Sequence, residues 1–274
     1  MKQVSGTVIS ADKLLRSPEA TYYLLRVSAP DIAASAKPGQ FLMVKCGPDV
    51  TLRRPMSIHS VKRQSGEIEM LFTRPASTGL LSSQIPEGMA RKSGISWLAK
   101  RKKEDILDLV GPLGNGFRID DNSHHVLLVA GGIGIAPMQF LAEECIKRGK
   151  KVTLLFGARN VKGIYPARLL PRQAVYVVTT EDGSYGHKGK ITGLIPQYIE
   201  SADQVFACGP NSMYREISKQ VKHRDIQASL EVRMGCGFGI CYGCSINTKH
   251  GMKRVCRDGP VFNINDIIWQ EVKL

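Results

Sequence analysis

His125-Val126-Leu127-Leu128-Val129-Ala130 is a continuous apolar run, and Gly131-Gly132-Ile133-Gly134-Ile135-Ala136-Pro137 follows it directly. A segment apolar on both faces is what a buried parallel strand requires. A helical pattern comes next, from Pro137 to about Arg148. Strand, glycine-rich loop and helix in that order suit a pyrophosphate. Glycines admit close main-chain approach, and the helix N-terminus offers free N–H groups and a positive dipole. The loop is not a GxGxxG pattern, and a ligand-free glycine turn is the alternative. Gly131, Gly132 and Gly134 are the candidate dinucleotide contacts.

The same pattern continues downstream. Lys151–Gly157, Ala174–Thr179 and Gln204–Cys208 read as further strands, with helical segments around Leu194–Glu200 and Ser212–His223. Alternating strands and helices predict a doubly wound parallel sheet, an α/β domain over residues 123–224. Ligands of such sheets lie at the carboxyl ends of strands. Cys208, Gly209 and Pro210 end one strand there and are candidate nicotinamide contacts, although Cys208 taken alone reads more readily as a core cysteine. Upstream, residues 1–122 alternate apolar and polar in short runs separated by turn residues, which predicts a small antiparallel β barrel. Residues 225–274 are irregular and cysteine-rich, a third, small module.

That module carries Gly235-Cys236-Gly237-Phe238-Gly239-Ile240-Cys241-Tyr242-Gly243-Cys244, with a further cysteine at Cys256. The spacing is C-x4-C-x2-C followed by eleven residues and a cysteine, close to the plant-type ferredoxin pattern for a [2Fe–2S] cluster. A loop wrapping so small a cluster must curl tightly, and interleaved glycines supply the positive φ and main-chain N–H groups it needs. A zinc ribbon would require two C-x2-C knuckles, and one is present. A disulfide framework suits a small secreted chain, whereas this one has 274 residues. Phe238, Ile240 and Tyr242 interrupt the glycines and are expected to form an exposed apolar patch, packing on the barrel being the alternative.

The chain has 38 basic and 24 acidic residues, a net charge of +14. The basic residues are scattered and no nucleic-acid recognition pattern accompanies them. Lys100-Arg101-Lys102-Lys103 is the densest run, either a solvated loop or a docking surface for an acidic partner. No run of about 18 apolar residues is present, so no spanning helix is expected. The N-terminus lacks a signal-peptide pattern, and seven cysteines fit a reducing cytoplasm. Cys46 and Cys145 lie among apolar residues and are expected in the core.

Arg54-Pro55-Met56-Ser57 opens a barrel strand. A flavin diphosphate needs a fixed cation and a hydroxyl donor, and this stretch supplies both. Gly111-Pro112-Leu113-Gly114-Asn115-Gly116-Phe117 reads either as a tight surface turn or as a loop closing over a flat cofactor. Glu181 and Asp182 disfavour a 2′-phosphate by charge, while Arg159 would attract one, so NAD and NADP both remain open.

In sequence order these motifs resemble the ferredoxin–NADP reductase superfamily. With Cys256-Arg257-Asp258-Gly259-Pro260-Val261-Phe262 they are similar, within it, to electron-transfer subunits of type B dihydroorotate dehydrogenases. The resemblance implies FAD on the barrel, NADH on the α/β domain and a [2Fe–2S] cluster on Cys236, Cys241, Cys244 and Cys256. It implies single-electron transfer to an FMN-bearing catalytic subunit, in a heterotetramer of two subunits of each kind. It places flavin contacts at Arg54, Pro55, Met56 and Ser57, at Leu71, Phe72 and Thr73, and at Gly94 and Ile95. In the family the last pair is Gly-Thr, so a threonine is lost here. Thr78-Gly79-Leu80-Leu81 is a poorer candidate, and about 18 residues around 75–93 look inserted. Related NAD(P)H:ferredoxin or sulfide oxidoreductase small subunits, and a non-enzymatic redox sensor, are the alternative readings.

Overall fold

The computed structural model describes residues 1–48, 50–76, 94–221 and 224–272. The Thr78–Leu81 candidate and nearly all of the 75–93 insertion lie outside these residues.

The N-terminal part forms one antiparallel sheet. Its strands are β1 (Lys2–Arg16), β2 (Ala20–Ser28), β3 (Phe41–Val44), β4 (Arg54–Ser57), β5 (Ser60–Lys62), β6 (Glu67–Pro75) and β7 (Ile106–Leu113). They run in the order β4-β3-β7-β1-β2-β6-β5. The sheet curls until β4 meets β6 without pairing to it, a half-barrel. Period-2 alternation puts Val8, Leu25, Val27, Met56, Ile58, Met70 and Phe72 into its core. Two short helices, α1 (Pro30–Ser35) and α2 (Gly94–Leu98), cap it.

The second sheet is built from β8 (His125–Gly131), β9 (Lys151–Ala158), β10 (Val175–Thr180), β11 (His187–Lys188), β12 (Gln204–Cys208) and β13 (Ile226–Ser229). The order β11-β10-β9-β8-β12-β13 is parallel throughout, with β8 central. The strand order reverses between β8 and β12, with β9 to β11 added on one side and β12 and β13 on the other, so the ligand crevice of this topology opens there. Helices α3 (Ile135–Lys147), α4 (Ile195–Ile199) and α5 (Asn211–Gln220) connect the strands. The sequence starts α3 at Pro137; it starts at Ile135, because proline is tolerated in a first turn whose N–H groups have no helical partner.

The C-terminal module adds a hairpin of β14 (Ser245–Thr248) and β15 (Gly251–Arg254), then α6 (Val255–Asp258). A last strand, β16 (Val261–Asn263), returns antiparallel to β13. No part buries its apolar residues alone. One core joins Phe41, Met43 and Leu113 of the half-barrel to Val129 and Ala207 of the parallel sheet and to Cys244, Ile246, Val255 and Cys256. Another joins Leu24 and Leu71 to Ile135, Ala136 and Met138. Phe140 of α3 enters the half-barrel core. Cys46 and Cys145 are fully buried, as expected.

Candidate redox site

The four module cysteines fall into two pairs. The Ile240 N–H donates to Cys236 Sγ at 3.3 Å, and the Cys236 N–H to Cys241 Sγ at 3.4 Å. Cys244 Sγ and Cys256 Sγ lie 3.2 Å apart, and the Cys256 N–H donates to Cys244 Sγ at 3.4 Å. The curl is made by positive φ at Gly237 (+86°), Gly239 (+88°) and Tyr242 (+55°). A Cβ on Gly237 would overlap the Met43 side chain, so the loop lies hard against β3. Burial pushes the Cys236 thiol up, but main-chain N–H groups around its sulfur outweigh this and bring it down to about 6. Cys256 goes the other way, to about 12, through burial and its contact with Cys244. Among the described residues no three His, Cys, Asp or Glu side chains group as a single-ion site. Two thiol pairs with N–H donors aimed at sulfur are instead of the kind that could hold a two-iron cluster. The residues fit the group.

On β4, Met56 enters the half-barrel core and Ser57, on the opposite face, is half-exposed; Arg54 shares the face of Met56 but stands at the strand's first residue and is exposed. Gly94 opens α2 directly beside Arg54. A Cβ there would stand 3.1 Å from Arg54 Nε and 2.9 Å from Cys46 Cβ, so only glycine lets the strand and helix approach. Ile95 packs against the half-barrel core. On β6 the side chains divide. Phe72 stacks on Tyr23 with ring centroids 5.5 Å apart, Leu71 faces the parallel sheet, and Thr73 is half-exposed beside Tyr22. The structure thus uses Leu71 and Phe72 for packing; the main chain of this stretch and Thr73 are what it presents outward.

The nucleotide loop is shaped by contact. A Cβ on Gly134 would overlap the main chain of Cys208, and one on Gly131 would stand 2.9 Å from Pro210 Cδ. The loops after β8 and β12 are therefore in contact, as the switch point requires. The Gly209 N–H donates to Tyr214 Oη at 3.0 Å, fixing the second loop. Cys208 itself is fully buried and burial holds its thiol well up, so Gly209 and Pro210 rather than the sulfur reach the crevice. Tyr22 brings the half-barrel to this loop, its hydroxyl 4.0 Å from where a Gly132 Cβ would be.

The Gly111–Phe117 loop does something its sequence does not announce. The Asn115 N–H donates to Gly259 O at 2.6 Å, and Asn115 Nδ2 donates to the carbonyls of Arg257 and Asp258 at 3.2 Å each. It clamps the C-terminal module onto the half-barrel. In the basic run, Arg101 lies over the Trp97 ring at 3.7 Å and pairs with Asp105 at 3.2 Å, while Lys102 and Lys103 are exposed. Sequence reasoning also passed over His59, Tyr165, Gln139 and Glu143. They form two neighbouring polar pairs between half-barrel and parallel sheet, His59 with Tyr165 and Gln139 with the half-buried Glu143, and polar residues in otherwise apolar runs were their one sequence signal.

Comparison with known proteins agrees with this geometry. Residues 231–268 match the iron-sulfur cluster binding domain of dihydroorotate dehydrogenase B, and residues 128–219 match the oxidoreductase NAD-binding domain. A dihydroorotate dehydrogenase B (NAD(+)) electron transfer subunit from Desulforamulus reducens is 36% identical over 261 residues, covering 91% of this chain and 93% of that protein. One from a Geobacillus species is 31% identical, covering 98% and 99%. Among solved structures, an NADH-dependent reduced ferredoxin-NADP oxidoreductase superposes with a TM-score of 0.81 at 26% identity, covering 97% of this chain and 90% of that one. A ferredoxin NADP+ reductase from Neisseria gonorrhoeae shares the fold, with a TM-score of 0.62 at 17% identity over 83% of this chain and 98% of its own. No helix among the described residues is long and apolar enough to cross a membrane. With the thiol pairs, the glycine loop at the switch point and the half-barrel all in place, this chain belongs to the family of electron transfer subunits of dihydroorotate dehydrogenase B.

Proposed function

We propose that this chain carries electrons from NADH through FAD and a [2Fe–2S] cluster to the FMN of a dihydroorotate dehydrogenase catalytic subunit. It does so in the cytoplasm, in a heterotetramer of two subunits of each kind. The observation that carries this reading is the pairing of Cys236 with Cys241 and of Cys244 with Cys256 beside the half-barrel. FAD, when bound, supplies the exchange between a two-electron hydride donor and one-electron acceptors.

The chain's own residues do the positioning. Arg54 gives the flavin diphosphate a fixed cation and Ser57 a hydroxyl donor, with Pro55 and Met56 holding the strand. Thr73, the main chain of Leu71 and Phe72, and the Gly94–Ile95 turn border the same gap between β4 and β6. Gly131, Gly132 and Gly134, with the N-terminus of α3, receive the NADH pyrophosphate. Gly209 and Pro210 line the nicotinamide end, with Cys208 packed behind them. Cys236, Cys241, Cys244 and Cys256 hold the irons. Phe238, Ile240 and Tyr242 stay exposed beside the cysteines, which suits a surface that seats a partner within electron-transfer reach.

Purified protein is expected to contain FAD, iron and acid-labile sulfide in a ratio of one to two to two, and NADH is expected to bleach its flavin. Zinc in place of iron would sink the cluster assignment. A second reading, the small subunit of an NADH-dependent ferredoxin:NADP oxidoreductase, is favoured by the structural likeness to that enzyme. Reduction of orotate by the coexpressed pair separates the two.

A further inference from the structure

His59 is 1% exposed and stands two residues beyond Ser57. Its N–H donates to Glu69 O at 2.8 Å, so its main chain is held by β6. Its ring leaves the half-barrel. Nδ1 lies 2.7 Å from Ala136 O in the first turn of α3, two residues beyond Gly134. Nε2 lies 2.9 Å from the hydroxyl of Tyr165, which is equally buried. A carbonyl oxygen only accepts, so Nδ1 carries the proton and Nε2 accepts from the Tyr165 O–H. Tyr165 is held in turn by Tyr176, whose hydroxyl donates to Tyr165 O at 3.0 Å.

Neighbouring bonds run in parallel. Ser60 Oγ donates to Glu143 Oε2 at 2.8 Å, and Gln139 Nε2 donates to Glu143 Oε1 at 2.8 Å and to Leu169 O at 2.7 Å. The flavin strand and the nucleotide loop are thus joined by one side chain with both ends fixed. Burial keeps the imidazole uncharged, with its pKa down to about 4, so near neutral pH the ring has a single tautomer and a single orientation.

We propose that His59 is a positioning residue for reduction of the flavin by NADH, a strut that sets the spacing between the Arg54–Ser57 strand and the Gly131–Gly134 loop. The proposal rests on the reading that those two segments hold FAD and NADH. Hydride transfer needs reacting atoms about 3–3.5 Å apart, and a misplacement of about 1 Å can cost about a hundredfold in rate. Apolar packing alone is poorly directional, whereas a buried hydrogen-bonded ring is not.

The test is rapid mixing of FAD-loaded protein with NADH, following flavin bleaching, beside amide hydrogen exchange of residues 131–139 in the FAD-free protein. For His59→Leu we expect the limiting rate to fall about 10- to 100-fold. Half-saturating NADH and FAD content should stay within about threefold, and exchange of residues 131–139 should accelerate. His59→Asn, which keeps an N–H donor, should recover most of the rate, and Tyr165→Phe should lie between. An unchanged limiting rate, or unchanged exchange in residues 131–139, overturns the strut. So does a His59→Asn variant as slow as His59→Leu. Wild-type protein whose flavin NADH does not bleach would instead overturn the functional reading, and the exchange measurement would still decide the strut.

Discussion

The nucleotide loop at 131–137 and the cluster loop at 235–244 are both glycine-rich, yet their glycines answer different demands. In the nucleotide loop the demand at Gly131 and Gly134 is space, and only Gly132, with φ of +55°, answers to conformation. Gly134 has ordinary φ, and what forbids a side chain there is the main chain of Cys208. In the cluster loop the demand is conformation. Gly237 and Gly239 have φ of +86° and +88°, and the atoms crowding them belong to the side chains of Met43 and Arg257. Space set by main chain is rigid and belongs to the whole sheet. Conformation set by one loop is local, and it can fail without disturbing the rest.

The largest effect that comparison predicts is a separation of functions. Cys244→Ser should remove nearly all the iron while FAD content stays the same and NADH bleaches the flavin within about threefold of the wild-type rate. The cluster ligands lie in a different segment from the flavin-facing residues, and flavin reduction precedes electron transfer to the cluster. Flavin reduction lost together with iron, FAD still being bound, would show that the two loops are not independent.

Gly134→Ala and Gly237→Ala compare the loops directly. The first forces a methyl group into main chain that cannot rotate away and should cost about 3 kcal/mol or more. The second adds left-handed strain, about 1–2 kcal/mol, against a methionine side chain that can move. Urea midpoints measure both. Equal costs would mean that the cluster loop is as tightly built into the fold as the nucleotide loop.

Both loops were legible in the sequence, by different signals. The strand from His125, the loop and α3 declare themselves by local periodicity, and the cysteine spacing declares the cluster. What stayed hidden acts over long sequence separation. His59 and Tyr165 lie 106 residues apart, and Asn115 reaches carbonyls 142 and 143 residues away. No local pattern encodes such pairs. The Gly111–Phe117 loop therefore read either as a tight turn or as a loop over a flat cofactor, and the clamp that Asn115 makes on the cluster module was not legible in it. Leu71 and Phe72 were legible as a strand, but which face packed against which core depends on the partner sheet.

A smaller effect concerns acid. Burial opposes charge on His59, against the opposing pull of the Ala136 carbonyl and Glu69, and lowers its pKa to about 4. An unfolded histidine titrates near 6.5. Between these values the unfolded chain binds more protons, so the contribution of His59 to stability falls as pH drops from about 6.5 to 4. Across that window it amounts to about 3 kcal/mol at most, given about 1.4 kcal/mol for each unit. The groups acting on the ring are Tyr165 and Glu69 of β6, paired with Arg26 at 2.8 Å, while Glu143 of α3 acts on Tyr165. Burial raises the Glu143 carboxyl, so its contribution has the opposite sign, present at low pH and lost as pH rises. The difference between wild type and His59→Asn, which does not titrate, isolates the histidine. That difference should shrink between pH 7 and pH 4 in urea unfolding, and parallel curves would show that His59 is not a buried neutral base.

The smallest effect tests the outer face of the cluster loop. Phe238, Ile240 and Tyr242 are 41%, 72% and 54% exposed, so at least these three leave the packing on the half-barrel to the glycines between them. Tyr242 has φ +55°, which aspartate tolerates better than most residues, so Tyr242→Asp need not strain the loop. Its new carboxylate would stand near Arg254, whose guanidinium now lies 5.1 Å from the tyrosine ring, and that neighbour limits the cost to the free subunit. Against a partner the same change removes an aromatic contact and adds a charge that docking would have to desolvate. We expect association with the catalytic subunit to weaken about tenfold, about 1.4 kcal/mol, with FAD and iron unchanged. Size-exclusion chromatography of the coexpressed pair, followed by titration of the separated subunits, measures it. A variant that elutes as the intact heteromer with wild-type affinity would move the docking surface away from the cluster loop.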